Sequence, residues 1–108
     1  MTPPKRFPDR DEIAAVRAAT EALEPGAELE GTRRLAGRVL ARREMGKLVF
    51  LDLVDRSGRI QLLCDVGRTG DLDVRLGDVI GVSGKPAKSR RGEPSLAVEG
   101  FTNSVITL

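Results

Sequence analysis

After Thr32 the chain never runs far without a turn-forming residue. Gly, Ser and Pro divide it into β-like runs at about 33–44, 47–55, 59–66, 78–88 and 94–106, each rich in aliphatic and β-branched side chains. Neighbouring parallel strands need a crossover of about a dozen residues or more, and these gaps are mostly of hairpin length, so antiparallel pairing is expected. One link is longer. Between the third and fourth runs, Gly67 to Gly77 has room for a turn or a single helical turn before Leu76-Gly77-Asp78 leads into the next strand.

Five short strands with their long link between the third and fourth follow the plan of a mainly β, five-stranded Greek-key OB-fold barrel. An SH3-like barrel is the main competitor. Gly37, inside the first run, favours the OB plan, because a residue without a side chain lets one long strand bend and serve both sides of a barrel. A short helix is predicted before the barrel, from Asp11 to Leu23, where Ile13, Val16, Thr20 and Leu23 recur at helical spacing. Asp9 and Glu12 offer a capping pair at its start, and Pro25-Gly26 ends it. Its Ala-rich face suits packing over one end of the barrel. Residues 1–10, rich in Pro and charge, read as a flexible arm, leaving 11–108 as one domain.

The residue inventory excludes several kinds of chemistry. With 108 residues the chain has room for one modest core, and a catalytic domain binding several substrates is not expected. It contains one cysteine and no histidine, which removes an internal disulfide, a zinc cluster and a His-based triad. Asp52, Asp55 and Asp65 lack the clustering of a two-metal site, and Gly67-Arg68-Thr69-Gly70 lacks the context of a phosphate loop. No catalytic residue and no cofactor is therefore expected. Neither a signal segment nor a run of about 18 apolar residues occurs, so a cytoplasmic protein without a membrane partner is expected.

Parity along the strands isolates two residues. In the second run Val49, Leu51 and Leu53 share one face; Leu48, Phe50, Asp52 and Val54 share the other, which Asp52 marks as the outer one. In the third run Ile60, Leu62, Cys64 and Val66 face inward, leaving Gln61 and Leu63 outside. The Asp55-Arg56-Ser57-Gly58 turn makes these runs neighbours, so Phe50 and Gln61, one of three aromatics and an amide, fall on one exposed face. An aromatic ring can stack a nucleobase, and an amide can bond its edge. By themselves the residues equally permit a Phe50 covered by the helix or merely exposed.

Charge bears on that choice. Arg33, Arg34, Arg38, Arg42, Arg43 and Lys47 gather along the first run and its loop, and Lys85, Lys88, Arg90 and Arg91 gather at the end of the fourth. In an OB-fold the loops after strands one and four flank the binding face. Clusters at both rims suit phosphate neutralisation. Glu93 stands at the second rim, available to a base or an arginine.

In order and spacing, "LEPGAEL", "LAGRVLARREMGKLVFLDLVDRSGRIQLL", "LGDVIGVSGKPAKSRRGEPSLAVEGF" and "SVITL" closely resemble the N-terminal anticodon-binding domain of bacterial-type class II lysyl-tRNA synthetases. Aspartyl- and asparaginyl-tRNA synthetases have related domains, but the "MGK" hairpin and the "R-x-GE" turn look more like the lysyl enzyme. The resemblance implies that Phe50 stacks on the central anticodon uridine, that Gln61 reads it with help from Arg43, and that Glu93 lies near a neighbouring base. The implied partner is tRNA, with a lysine anticodon favoured. If the chain is part of a full synthetase, a catalytic domain and a homodimer partner are implied as well, in an ATP- and magnesium-dependent lysine-tRNA ligase. The family usually has a longer link between strands three and four, and a leucine where Pro94 stands. A sequence-tolerant single-strand binder and a protein-interaction module anchored on Phe50, Leu48 and Leu63 are the other expectations the surface permits.

Overall fold

A computed structural model describes residues 10–69 and 74–102. Its elements are α1 (Ile13–Thr20), β1 (Arg33–Met45), β2 (Leu48–Val54), β3 (Arg59–Asp65), α2 (Val66–Thr69), β4 (Val79–Lys88) and β5 (Pro94–Thr102). The strands close into a barrel in the order β1-β2-β3-β5-β4, the OB-fold plan that the turn spacing predicts. The expectations for the arm over 1–9, the Asp9 cap and the strand beyond Thr102 lie outside the described residues.

Closure requires one pairing that the hairpin-length gaps do not suggest. β1 is antiparallel to both β2 and β4, so their hairpin partners β3 and β5 run in the same direction. These two meet in a short parallel ladder: Gln61 opposite Ser95, Leu62 opposite Leu96, and Leu63 opposite Ala97.

β1 serves both sides of the barrel. Its residues 33–38 pair with β4 and residues 38–45 with β2. A Cβ added at Gly37 would lie 2.4 Å from the carbonyl oxygen of Val54, so the strand passes here at a distance only glycine permits. Just beyond, the register slips between Val39 and Ala41. The extra residue, Leu40, points to solvent with 44% of its surface exposed. From that bulge onward the faces of β1 exchange: Arg43 comes opposite outward-facing Phe50, and Arg42 opposite core-facing Leu51.

Inside the barrel, Leu35, Val39, Val49, Leu51, Leu53, Ile60, Leu62, Cys64, Ile80, Val82, Leu96 and Val98 form one cluster, joined by Val74 from the long link and by Ile13 and Val16 of α1. Each large aliphatic side chain removed from water contributes about 1.5–3 kcal/mol before the entropy of ordering the chain is set against it.

The helix is shorter than its periodicity suggests. Asp11 is tied to β1 instead, its amide donating to the Arg34 carbonyl at 2.6 Å and its Oδ2 accepting from the Arg34 amide at 3.2 Å. Glu12, in extended conformation, precedes the first turn without a capping bond from its own side chain. The caps come from the β2–β3 turn: Asp55 Oδ2 accepts from the Ile13 amide and Ser57 Oγ from the Ala14 amide, both at 3.0 Å. Asp55 Oδ1 meanwhile accepts from the Ser57 amide, the Ser57 hydroxyl and the Gly58 amide. Partial burial alone would push the Asp55 carboxyl up, but these bonds together outweigh it and hold the carboxyl below its ordinary range.

Candidate nucleic-acid interface

On the outer face of β1, β2 and β3 lies a trough of about 440 Å³, within the usual range of about 300–1,000 Å³ for ligand clefts. Phe50, Leu63 and Ala97 contribute apolar surface, with Arg43, Met45 and Leu48 from the first hairpin and Ser89, Arg90, Arg91 and Glu93 from the β4–β5 turn. The remaining wall is made by Gly26, Ala27 and Glu28. This segment after α1 runs alongside the end of β4, with the Gly26 amide donating to the Lys88 carbonyl, the Lys88 amide to Ala27 and the Leu29 amide to Pro86. From its residues this stretch reads as the end of a helix, and "LEPGAEL" counts towards the family resemblance without being placed at the site; strand-like pairing of so short a piece has no periodicity to reveal it.

At the centre of the trough Phe50, Arg43 and Gln61 begin a chain of contacts that runs on through the buried Ser95 to the Glu93 carbonyl. The Arg43 guanidinium lies 5.4 Å from the centroid of the Phe50 ring, within cation–π range. Its Nη2 also donates to Gln61 Oε1 at 3.2 Å. Gln61 Nε2 donates to Ser95 Oγ at 3.2 Å, and that hydroxyl donates to the Glu93 carbonyl at 3.0 Å. Ring, guanidinium and amide thus meet in one place. Gln61 has the outer-face parity expected of it, but the expectation of exposure does not hold: 4% of its surface is accessible, because β5 and Arg43 cover it.

The basic clusters divide. Lys88, Arg90 and Arg91 line the trough, but the Lys88 ammonium is bound to the Glu21 carbonyl at the end of α1, at 3.2 Å. Arg90 and Arg91 are exposed at the tip of the β4–β5 turn. That turn closes with the Gly92 amide on the Ser89 carbonyl, and Gly92 has φ near +88°, a conformation that favours glycine. Arg42, expected beside Arg43, is carried to the opposite face by the bulge. It bonds the Val74 carbonyl at 2.7 Å and pairs with Glu44 at 2.6 Å, holding the long link. Arg38 does similar work on the Gly77 carbonyl. Lys47 sits exposed at the tip of the β1–β2 hairpin and is not among the trough residues.

The carboxylates are accounted for locally. Asp52 pairs with Arg59 on the same outer face, and this bond, with a weaker influence from Glu93, raises the pKa of Arg59. Glu93 is the trough's acidic member on the β4–β5 side. Cys64 faces the core with 1% exposed; burial pushes its thiol up to about 12, only partly offset by Arg42. A thiol so far from its thiolate is no nucleophile at neutral pH.

A closed five-stranded barrel with an aromatic-floored trough on its β2–β3 face, flanked by the β4–β5 turn, has the architecture of an oligonucleotide-binding module. Residues 34–103 match the tRNA anticodon family of OB-fold nucleic acid binding domains, and the chain belongs to that family. It is similar to lysine–tRNA ligases: 40% identical over 106 residues to that of Deinococcus radiodurans, 88% of this chain and 20% of the ligase. The ligase of Synechococcus is 40% identical over 99 residues, 86% of this chain and 20% of the ligase. That of a Dehalococcoides mccartyi strain is 38% identical over 99 residues, 83% and 19% respectively. The chain thus spans about a fifth of the length of these relatives, and its resemblance to the lysyl anticodon-binding domain stands. No helix among the described residues is long and apolar enough to cross a membrane.

Proposed function

We propose that this chain grips the anticodon of a tRNA, lysine tRNA in the first place, by stacking the central uridine on Phe50 and reading its edge with Gln61 and Arg43. The observation that carries the reading is the meeting of these three side chains in one trough. Uracil presents an N3–H donor between two carbonyl acceptors. Gln61 Oε1 is the acceptor that N3–H needs, and the Arg43 guanidinium is a donor for a neighbouring carbonyl. Cytosine presents an acceptor at N3, which Oε1 repels. Stacking supplies affinity, about 1–3 kcal/mol per base, without regard to sequence; the edge contacts supply discrimination.

Glu93 lies at the end of the trough where a neighbouring anticodon base would sit. Arg90 and Arg91, projecting from the turn, are placed for the phosphates. As part of a longer protein, the module would deliver its tRNA to the catalytic domain of an ATP-dependent lysine–tRNA ligase, acting as a homodimer; the similarity to such ligases supports that role.

The test is a titration of the chain with lysine tRNA, with the same tRNA altered only at its central anticodon uridine, and with random single-stranded RNA, each at two salt concentrations. Lysine tRNA is expected to bind tightest. Phe50→Ala should weaken it by about 1–3 kcal/mol, and Gln61→Ala should act mainly on the ratio between the two tRNAs. Equal affinity for all three RNAs overturns anticodon reading and leaves a sequence-tolerant binder. Folded protein that binds none of them leaves a protein-interaction module.

A further inference from the structure

A glutamine can discriminate between bases only if its amide is held one way round, since a half-turn about its last bond exchanges the acceptor for a donor. In this protein the hydrogen bonds around Gln61 decide the orientation from both ends. A backbone carbonyl only accepts, so the Ser95 hydroxyl, 3.0 Å from the Glu93 carbonyl, must donate to it. Its lone pairs are then turned towards Gln61, and only the NH2 end of the amide can meet them, at 3.2 Å. At the other end a guanidinium only donates, so Arg43 requires Oε1 on its side. The two constraints agree.

They differ in permanence. Arg43 is exposed and lies over the ring where a base would stack, so an incoming nucleotide re-aims it towards the base edge and away from Gln61. Ser95 is fully buried, at 0% exposed, and the β3–β5 ladder sets it directly opposite Gln61. We infer that Ser95 is the specificity-determining positioning residue of the trough: by accepting from Gln61 Nε2 it keeps Oε1 turned to the bound base and so selects uracil over cytosine. The inference rests on the anticodon reading proposed above, and it concerns a residue that touches no nucleotide itself.

The prediction is a loss of selectivity without an equal loss of affinity. Without the Ser95 hydroxyl, the amide can reverse once Arg43 moves, and its NH2 then faces the base, an arrangement that suits N3 of cytosine. The probes are anticodon stem-loop RNAs differing only in their central base, uridine or cytidine, titrated against the full 108-residue chain. Ser95→Ala should cut the uridine-to-cytidine affinity ratio about fivefold, one net hydrogen bond's worth, mostly through tighter binding of the cytidine loop. Ser95→Thr, which keeps the hydroxyl, should restore most of the ratio. In the Gln61→Ala background, adding Ser95→Ala should change the ratio no further, because Ser95 acts through Gln61.

Should alanine leave the buried site unable to fold, Ser95→Cys, close in shape but a weak acceptor, carries the same expectation of a reduced ratio. A folded Ser95→Ala or Ser95→Cys protein with the parental ratio overturns the inference, as does a further fall in the ratio in the double variant. A parental protein that does not distinguish the two loops, or a Gln61→Ala protein that still does, overturns the anticodon reading instead.

Discussion

The carboxylate of Asp55 accepts four hydrogen bonds on two oxygens, and replacing it with Asn separates them. An amide has one acceptor oxygen. Kept at the Oδ1 position it preserves the three bonds from Ser57 and Gly58 that shape the turn, but the NH2 group then confronts the Ile13 amide, donor against donor. Asp55→Asn should therefore keep the β2–β3 turn and the Ser57 cap but remove the Ile13 cap of α1, at about 1 kcal/mol, the usual cost of a lost N-cap. Asp55→Ala loses all four bonds and should cost about 2–4 kcal/mol. In a domain of this size each kcal/mol lowers Tm by about 4–8 °C, so thermal unfolding followed by circular dichroism resolves the two variants. pH supplies the second axis. The folded carboxyl lies below its ordinary value near 3.8, so its contribution is complete above that value and is lost as pH falls through the lowered folded value. The gap between the parent and Asp55→Asn should be full at about pH 7 and narrow as pH falls below the ordinary carboxyl value. No gap at neutral pH, or one that persists unchanged in acid, would refute the cross-strand cap. RNA affinity at neutral pH should be nearly unchanged, since Phe50 pairs with Leu63, well away from the turn.

Two further outcomes follow from the geometry. Gly37→Ala should destabilise by about 1–3 kcal/mol or more, because the added Cβ meets the Val54 carbonyl oxygen at 2.4 Å and backbone cannot swing aside as a side chain would; a Tm equal to the parent's would show that β1 does not pass so close to β2. Removing both Arg90 and Arg91 should reduce the slope of log affinity against log salt by about 1.4, or about 0.7 per phosphate contact on a single strand, while leaving the uridine-to-cytidine ratio intact; an unchanged slope would place the phosphates elsewhere.

Much of the barrel is legible because its signals are local. Turn residues lie inside the stretch they punctuate, so the bounds of β1 to β4 come within a residue or two of expectation. Parity then sorts Val49, Leu51 and Leu53 from Phe50, and Ile60 and Leu62 from Gln61, since alternation needs no knowledge of what a strand pairs with. The helix is less legible. Its apolar spacing is visible, but its capping groups sit on Asp55 and Ser57, 42 and 43 residues away, and Asp11 is drawn off by Arg34. A capping motif read from neighbours in sequence does not register competitors from across the fold.

The site depends on two facts that local reading lacks. The first is the parallel ladder that sets Ser95 beside Gln61 across 34 residues of sequence; it turns a seemingly solvated amide into a buried, oriented one. Ser95 does alternate visibly with Leu96 and Val98, so its outward parity is readable, but its partner is not. The second is the bulge at Leu40. Extending the inward parity of Leu35 and Val39 without interruption would send Arg43 to the core side and Arg42 to the face of Phe50. One inserted residue exchanges them, putting Arg43 over the ring and sending Arg42 to the Val74 carbonyl. Adjacent arginines are equivalent in any count of charge, so a basic run on a strand overstates its binding face until the register is known. The resemblance to the lysyl anticodon-binding domain nominates Arg43 where charge and parity do not, because a matched motif carries with it a register that composition cannot express.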